Sequence, residues 1–226
     1  MAVQYANARL VTDGLILALN AADKNSYPGS GNTWYDLSGN NAHGGITGSV
    51  AFVNSGSQSY FNFATAGDSN YISSSVSQNY LDVTVVFQPD FTLVANSNLT
   101  GLISDSNNSA SIDDSLRFGS ANGTGPWDIS NPGDVNNWAS GTATTYYRNG
   151  TVANTLVAGW NIFGGYRTNQ SPTYFPPNFT YYLGASGWPG RGFQGKLACV
   201  YMYNRQLTAA EQLQNYNVLK SRFGLT

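Results

Sequence analysis

Apolar residues run without interruption from Leu15 to Leu19. Set as a strand, the run sends Leu15, Leu17 and Leu19 to one face and Ile16 and Ala18 to the other. A strand apolar on both faces belongs inside a sheet that is covered on both sides. The next stretch, residues 21–45, is broken by Pro28, Gly29, Gly31, Gly39, Gly44 and Gly45, and reads as a loop. It also carries Tyr27, Trp34, Tyr35 and Leu37, so the pattern predicts a long loop that packs on a core through its own rings. Short strands are predicted at 50–53 and 116–118; Tyr60–Phe63 alternates aromatic with polar, Tyr71-Ile72 precedes a serine-rich turn, and Leu102-Ile103 is a brief apolar pair before a polar tract. The clearest alternation is Asp82–Gln88, where Val83, Val85 and Phe87 oppose Thr84, Val86 and Gln88, with Pro89 as its stop.

Further along, Asn149-Gly150 separates 142–148 from 151–157, the strongest short-range signal for a hairpin. Strands are predicted at 160–166, 181–184 and 195–203. In the last, Leu197, Cys199, Tyr201 and Tyr203 oppose Ala198, Val200 and Met202. One helix closes the chain. Thr208 and Glu211 have the spacing of a capping box, Ala209, Leu213, Tyr216, Leu219 and Phe223 form the apolar face, and Gly224 ends it. Many short strands with turn signals about every 8–12 residues and a single helix predict an all-β, antiparallel two-sheet sandwich with one short C-terminal helix.

Composition sharpens this picture. Only 10% of the 226 residues are charged, against about 25% in ordinary domains. Asn, Ser, Thr, Gly and Tyr take their place, which excludes a helical bundle or coiled coil. The ten Lys and Arg are scattered and the net charge is −2, so nucleic acid is excluded as a partner. No apolar run reaches the length of a membrane span, and no membrane insertion is expected. Cys199 is the lone cysteine, so no intrachain disulfide forms. The polar start at Met1 lacks the pattern of a signal peptide. Residues 1–9 read as an N-terminal arm and 10–226 as one domain.

Several segments resemble a known family. Gly14-Leu-Ile-Leu, Tyr27-Pro-Gly-Ser-Gly, Trp34-Tyr-Asp-Leu-Ser-Gly-Asn and the closing Gly195-Lys-Leu-Ala-Cys-Val-Tyr-Met-Tyr-Asn-Arg-Gln-Leu-Thr-Ala-Ala-Glu are similar to laminin-G-like, concanavalin A-like jelly-roll domains. The variant with Tyr27–Gly31, Trp34–Asn40 and Gly125–Asp134 resembles those in structural proteins of tailed bacteriophages. The resemblance implies a jelly-roll sandwich with its first and last strands adjacent. It implies a virion protein: a capsid-decorating, fibre or tail-associated subunit with other virion proteins and a host-surface glycan as partners, and a homo-oligomer. A secreted, extracellular lectin-like adhesion module is the alternative reading, and a glycan-degrading hydrolase a further one.

Retaining or inverting glycosidases need a carboxylate pair, but Glu211 is the lone glutamate and stands at the helix cap. The Glu-x-Asp-x-x-Glu pattern of laminarinase-type enzymes is absent. Asp113 and Asp114 are adjacent and would point to opposite faces of a strand, while Asp128 and Asp134 share a loop. His43 and Cys199 read as structural. On these grounds the expectation is no catalytic residue, no enzymatic activity and no metal beyond calcium, for which Asp105, Asn107, Asn108, Asp113 and Asp114, or Asp128, Asn131, Asp134 and Asn136, offer oxygen ligands. Glycan binding has two candidate sites, each an aromatic platform beside polar groups. One is Trp127, Asp128, Asn131, Asp134, Asn136 and Trp138 in the long 119–141 loop; the other is Trp188 and Arg191.

Overall fold

The computed structural model describes residues 9–64, 69–77, 82–90, 100–105, 116–118, 145–153, 155–166, 179–185 and 192–226. Fourteen strands are present among them. They are β1 (Leu15–Asn20), β2 (Thr33–Trp34), β3 (Gly44–Thr47), β4 (Ala51–Val53), β5 (Tyr60–Phe63), β6 (Tyr71–Val76), β7 (Asp82–Pro89), β8 (Thr100–Asp105), β9 (Leu116–Phe118), β10 (Tyr146–Arg148), β11 (Thr151–Val152), β12 (Asn161–Tyr166), β13 (Phe179–Leu183) and β14 (Gly195–Tyr203). The helix α1 (Ala209–Leu219) follows. An eight-stranded sheet runs β11-β10-β12-β7-β14-β5-β4, with β1 also paired to β14, and a six-stranded sheet runs β2-β3-β6-β13-β8-β9. The strand ladders are antiparallel, and together the sheets make the predicted sandwich. None of the described helices is long and apolar enough to cross a membrane.

β14 is the spine of the larger sheet. Along one side it pairs with β7 over its whole length. The other side is shared: β5 takes Gly195–Leu197 and β1 takes Cys199–Tyr203, so the first and last strands are neighbours. Pairing slips between Leu15 and Leu17 in β1 and between Leu197 and Cys199 in β14. Each bulge flips the side chains that follow it. Ile16, Leu17 and Leu19 therefore face the core between the sheets, while Leu15 and Ala18 face outward. Likewise Leu197, Val200 and Met202 point inward, and Ala198, Cys199, Tyr201 and Tyr203 point outward. The strict alternation expected for both strands is corrected at these two places.

The core between the sheets is filled by rings and branched aliphatics, among them Trp34, Phe61, Phe63, Val83, Val85, Phe87, Tyr181 and Phe193. Each fully buried apolar side chain contributes roughly 1.5–3 kcal/mol. Trp34 and Phe61 join the sheets, their ring centres 4.6 Å apart. Two strands lie where the sequence predicted only loop. β2 forms within the 21–45 stretch and β3 begins at its end, and Gly44 makes this workable: a Cβ there would sit 2.7 Å from Ile72 Cγ2. The serine-rich turn expected after Ile72 is instead the rest of β6, with the Ser74 hydroxyl turned inward and donating to Ala42 O at 2.7 Å.

The 21–45 segment covers the open edge of β1. The Asp36 carboxylate is its fastener. One oxygen accepts the backbone N–H groups of Ala18 (2.8 Å) and Ser38 (2.9 Å); the other accepts Ser38 Oγ (2.7 Å) and Ala42 N–H (3.1 Å). Ser38 Oγ also donates to Ile16 O, and Leu37 N–H to Ala18 O. An edge whose backbone groups are satisfied in this way cannot template another strand. The Trp34–Asn40 motif is thus explained by architecture. Tyr27 and Trp34 are buried as expected, whereas Tyr35 and Leu37 are 42% exposed and do not anchor the loop.

The helix carries the predicted capping box: Thr208 Oγ1 accepts Glu211 N–H, and the Glu211 carboxylate accepts Thr208 N–H. Its buried face differs from the apolar stripe expected. Ala209 is exposed and Leu213 is 46% exposed, while Gln212, Asn215, Tyr216 and Leu219 are buried, followed by Phe223. Gly224 ends the C-terminal turn in a left-handed conformation, φ 67°, as its position predicted. The Asn149-Gly150 turn has positive φ at both residues, 49° and 78°, and joins β10 to β11.

Candidate functional site

The outer faces of the two sheets are chemically unlike. On the eight-stranded sheet, α1 and the C-terminal turn lie over Val86, Ile162, Ala198, Cys199, Tyr201 and Tyr203, and close them off with Tyr216, Leu219 and Phe223. Two polar side chains trapped beneath are paired. Asp82 accepts from Leu207 N–H and Gln212 Nε2, both at 2.8 Å; Asn215 donates to Thr84 Oγ1 and the Tyr203 hydroxyl, both at 3.0 Å, and accepts Val11 N–H at 2.9 Å. Burial pushes the Asp82 carboxyl up to about 8, although the bonds from Leu207, Gln212 and Val83 favour its charged form. At the helix start, hydrogen bonds from Arg205 and then from Thr208 hold Glu211 down to about 2. Burial also raises the Cys199 thiol, so its reactive thiolate is suppressed.

Among the described residues, no helix covers the outer side of the six-stranded sheet. Alternation places Tyr71, Ser73 and Ser75 of β6 outward, since Ile72, Ser74 and Val76 are buried. Thr180 and Tyr182 of β13 share that face, because Tyr182 is opposite Ser73 and Thr180 opposite Ser75. Thr47 and Gly45 of β3 extend it beyond β6, opposite Tyr71 and Ser73. The Tyr71 and Tyr182 rings are diagonal neighbours with centres 4.8 Å apart and planes tilted by 51°. Both are half-buried and Ser75 is exposed. Ser75 Oγ and Thr180 Oγ1 share a hydrogen bond of 2.8 Å. Ser73 Oγ reaches Gly45 O at 3.4 Å, and the absence of a side chain on Gly45 leaves that hydroxyl accessible. Chemically this is a half-exposed aromatic platform bordered by hydroxyls that both donate and accept.

Trp127, Asp128, Asn131, Asp134, Asn136, Trp138, Trp188 and Arg191 all lie outside the described residues, as do Asn107, Asn108, Asp113 and Asp114. Among the described residues no group of three His, Cys, Asp or Glu is placed to hold a metal. His43 is tied into the β1 edge cover, its Nδ1 accepting Asp36 N–H at 3.1 Å and its ring meeting Tyr35 edge-on. The open face was missed because Tyr71-Ile72-Ser-Ser-Ser-Val reads as a strand only if a buried serine is admitted at position 74. Its legible signal was the two-residue spacing of Tyr71, Ser73 and Ser75.

No family model matches the chain, and no curated protein matches it. Solved structures share its fold. Trypanosoma rangeli sialidase in complex with the inhibitor DANA superposes with a TM-score of 0.54 at 12% identity, over 94% of this chain and 35% of the sialidase chain. A mutant of that sialidase displaying trans-sialidase activity gives 0.52 at 14% identity, over 97% and 35%. Domain 4 of AbnA, a GH43 extracellular arabinanase from Geobacillus stearothermophilus, in complex with arabinotriose, is matched over 89% of this chain and 98% of that one at 16% identity. Its TM-score of 0.48 is too low to build on. This chain therefore spans about a third of the length of the sialidases it matches. The likeness supports the concanavalin-like, jelly-roll-like sandwich and carries nothing specific to bacteriophages.

The expectation that the chain is not an enzyme is corrected by these matches. It rested on the lone glutamate at the helix cap, on a missing carboxylate pattern and on the structural reading of His43 and Cys199, and these exclude only the chemistries that need them. Glycoside hydrolases contain this fold, and a fold fixes neither the presence nor the position of a catalytic group.

Proposed function

We propose that this chain is a carbohydrate-recognising β-sandwich, with the outer face of the six-stranded sheet as its binding surface. The observation that carries the proposal is the Tyr71–Tyr182 ring pair beside the Ser75–Thr180 hydroxyl pair. A sugar ring has apolar C–H faces and a hydroxyl perimeter. Half-exposed tyrosines accept the first, and serine and threonine hydroxyls answer the second. The sandwich fold shared with sialidases is compatible with this reading. A glycan array probed with the purified chain tests it: binding that is lost in Tyr182→Ala, with the circular dichroism spectrum unchanged, is expected. Binding to no glycan would reject the proposal.

We further propose that the sandwich is displayed on a virion, as a homo-oligomeric subunit among other structural proteins. The support is the resemblance of Tyr27–Gly31 and Trp34–Asn40 to phage structural domains. Immunogold electron microscopy of purified particles tests the placement, and light scattering tests the oligomer. Labelling of a cell surface in place of particles would favour the extracellular adhesion module.

A further inference from the structure

Resting on the carbohydrate reading, we infer that the ligand of the open face is an uncharged saccharide. Four of its six strands, β2, β3, β6 and β13, contain no Asp, Glu, Lys, Arg or His; the sheet's charged residues are Asp105 at the end of β8 and Arg117 in β9, on the side of β13 away from Tyr71. A sialylated or uronic sugar brings a carboxylate, and holding it against a protein surface calls for a cation and charge-assisted hydrogen bonds.

Cations whose contacts are described lie on the other sheet, its helix and their connections. Lys196 donates to Gln88 Oε1 and lies over the Tyr60 ring. Arg205 pairs with Asp13 and Glu211. Lys220 lies over Tyr216, and Arg222 is bonded to Asn20 and to Ser57 O. What the open face does supply is balanced. Ser73, Ser75, Thr180 and both tyrosines carry hydroxyls that can donate or accept, which is the pairing that neutral sugar hydroxyls offer in return. The net charge of −2 adds a weak long-range bias against polyanions.

Affinity electrophoresis of the full chain tests the inference, using xylan, linear arabinan, galactomannan and laminarin as neutral probes and polysialic acid and alginate as acidic ones. Runs at about 20 and about 500 mM salt separate charge-driven from charge-independent retention. Expected is retention by at least one neutral polymer, changed less than twofold by salt, and none by the acidic polymers. Tyr182→Ala and Tyr71→Ala should each weaken that retention by roughly tenfold, the size of a lost aromatic contact. Retention by an acidic polymer that high salt abolishes would overturn the inference and leave the carbohydrate reading standing. Retention by no polymer of either kind would overturn both. Neutral retention untouched by either tyrosine change would remove the ligand from this face.

Discussion

The two sheets face outward under opposite regimes. The eight-stranded sheet is finished by a helix, and two polar side chains buried beneath it are paired: Asp82 with Gln212 and Leu207, and Asn215 with Thr84, Tyr203 and Val11. The six-stranded sheet keeps its tyrosines half-buried and a serine–threonine pair exposed. One side has its hydrogen-bonding capacity used internally; the other has it to spare. A surface that recognises something must hold back some of that capacity, so the contrast separates the face that stabilises from the face available for binding.

Removing contacts from the closed face should have the largest effect. Phe223 is buried and its ring lies 4.8 Å from that of Trp160. Phe223→Ala should cost about 3–5 kcal/mol through lost transfer energy and the cavity left behind. Urea unfolding followed by tryptophan fluorescence measures this. A loss below about 1 kcal/mol would mean that the helix is not packed as described.

The next effect depends on pH. Asp82 has a folded-state value of about 8 against an ordinary 3.8, so its protonated form favours the fold. That contribution is fully present below about pH 4 and is lost as pH rises toward 8, with a slope of at most about 1.4 kcal/mol per pH unit. Glu211 acts in the other direction. Held down to about 2 against 4.5, it adds stability above its ordinary value, and this is lost as pH falls through about 2. Unfolding free energy measured at several pH values should therefore decline from about 5 to about 8. Asp82→Asn should flatten the decline, and an unchanged slope in that variant would assign it to other groups.

Much of this fold was open to sequence reasoning where the deciding information was local. The alternation of β7, the Thr208–Glu211 box and the Asn149-Gly150 hairpin all depend on residues a few positions apart. Hidden features depended on distant partners. Gln212 and Asn215 face inward because Asp82 and Thr84, more than a hundred residues away, need hydrogen bonds, so a stripe built only from apolar residues gave Leu213 the wrong side. The bulges in β1 and β14 are set by pairing between strands, which no single-strand period contains. The open face was hidden for a related reason: its buried Ser74 is satisfied by Ala42 O on a distant loop, and three serines in a row look locally like a turn. The tryptophan loops drew attention instead because rings among Asx residues are conspicuous in a sequence regardless of where they lie.

The smallest stability effect separates the two regimes most directly. Tyr182 is half-buried, and its described ring contact is with Tyr71, itself half-buried. Tyr182→Ala should therefore destabilise the chain by only about 0.5–1.5 kcal/mol, the worth of one aromatic pair, well below Phe223→Ala. The double change of Tyr71 and Tyr182 to Ala should cost less than the sum of the single changes, because both singles remove the same contact. Carbohydrate retention should instead fall roughly tenfold in either single variant and stay unchanged in Leu213→Ala, an exposed position on the helix. Should Tyr182→Ala unfold the chain as readily as Phe223→Ala does, the six-stranded face would be a second packed face, and the distinction between a closed side and an available one would disappear.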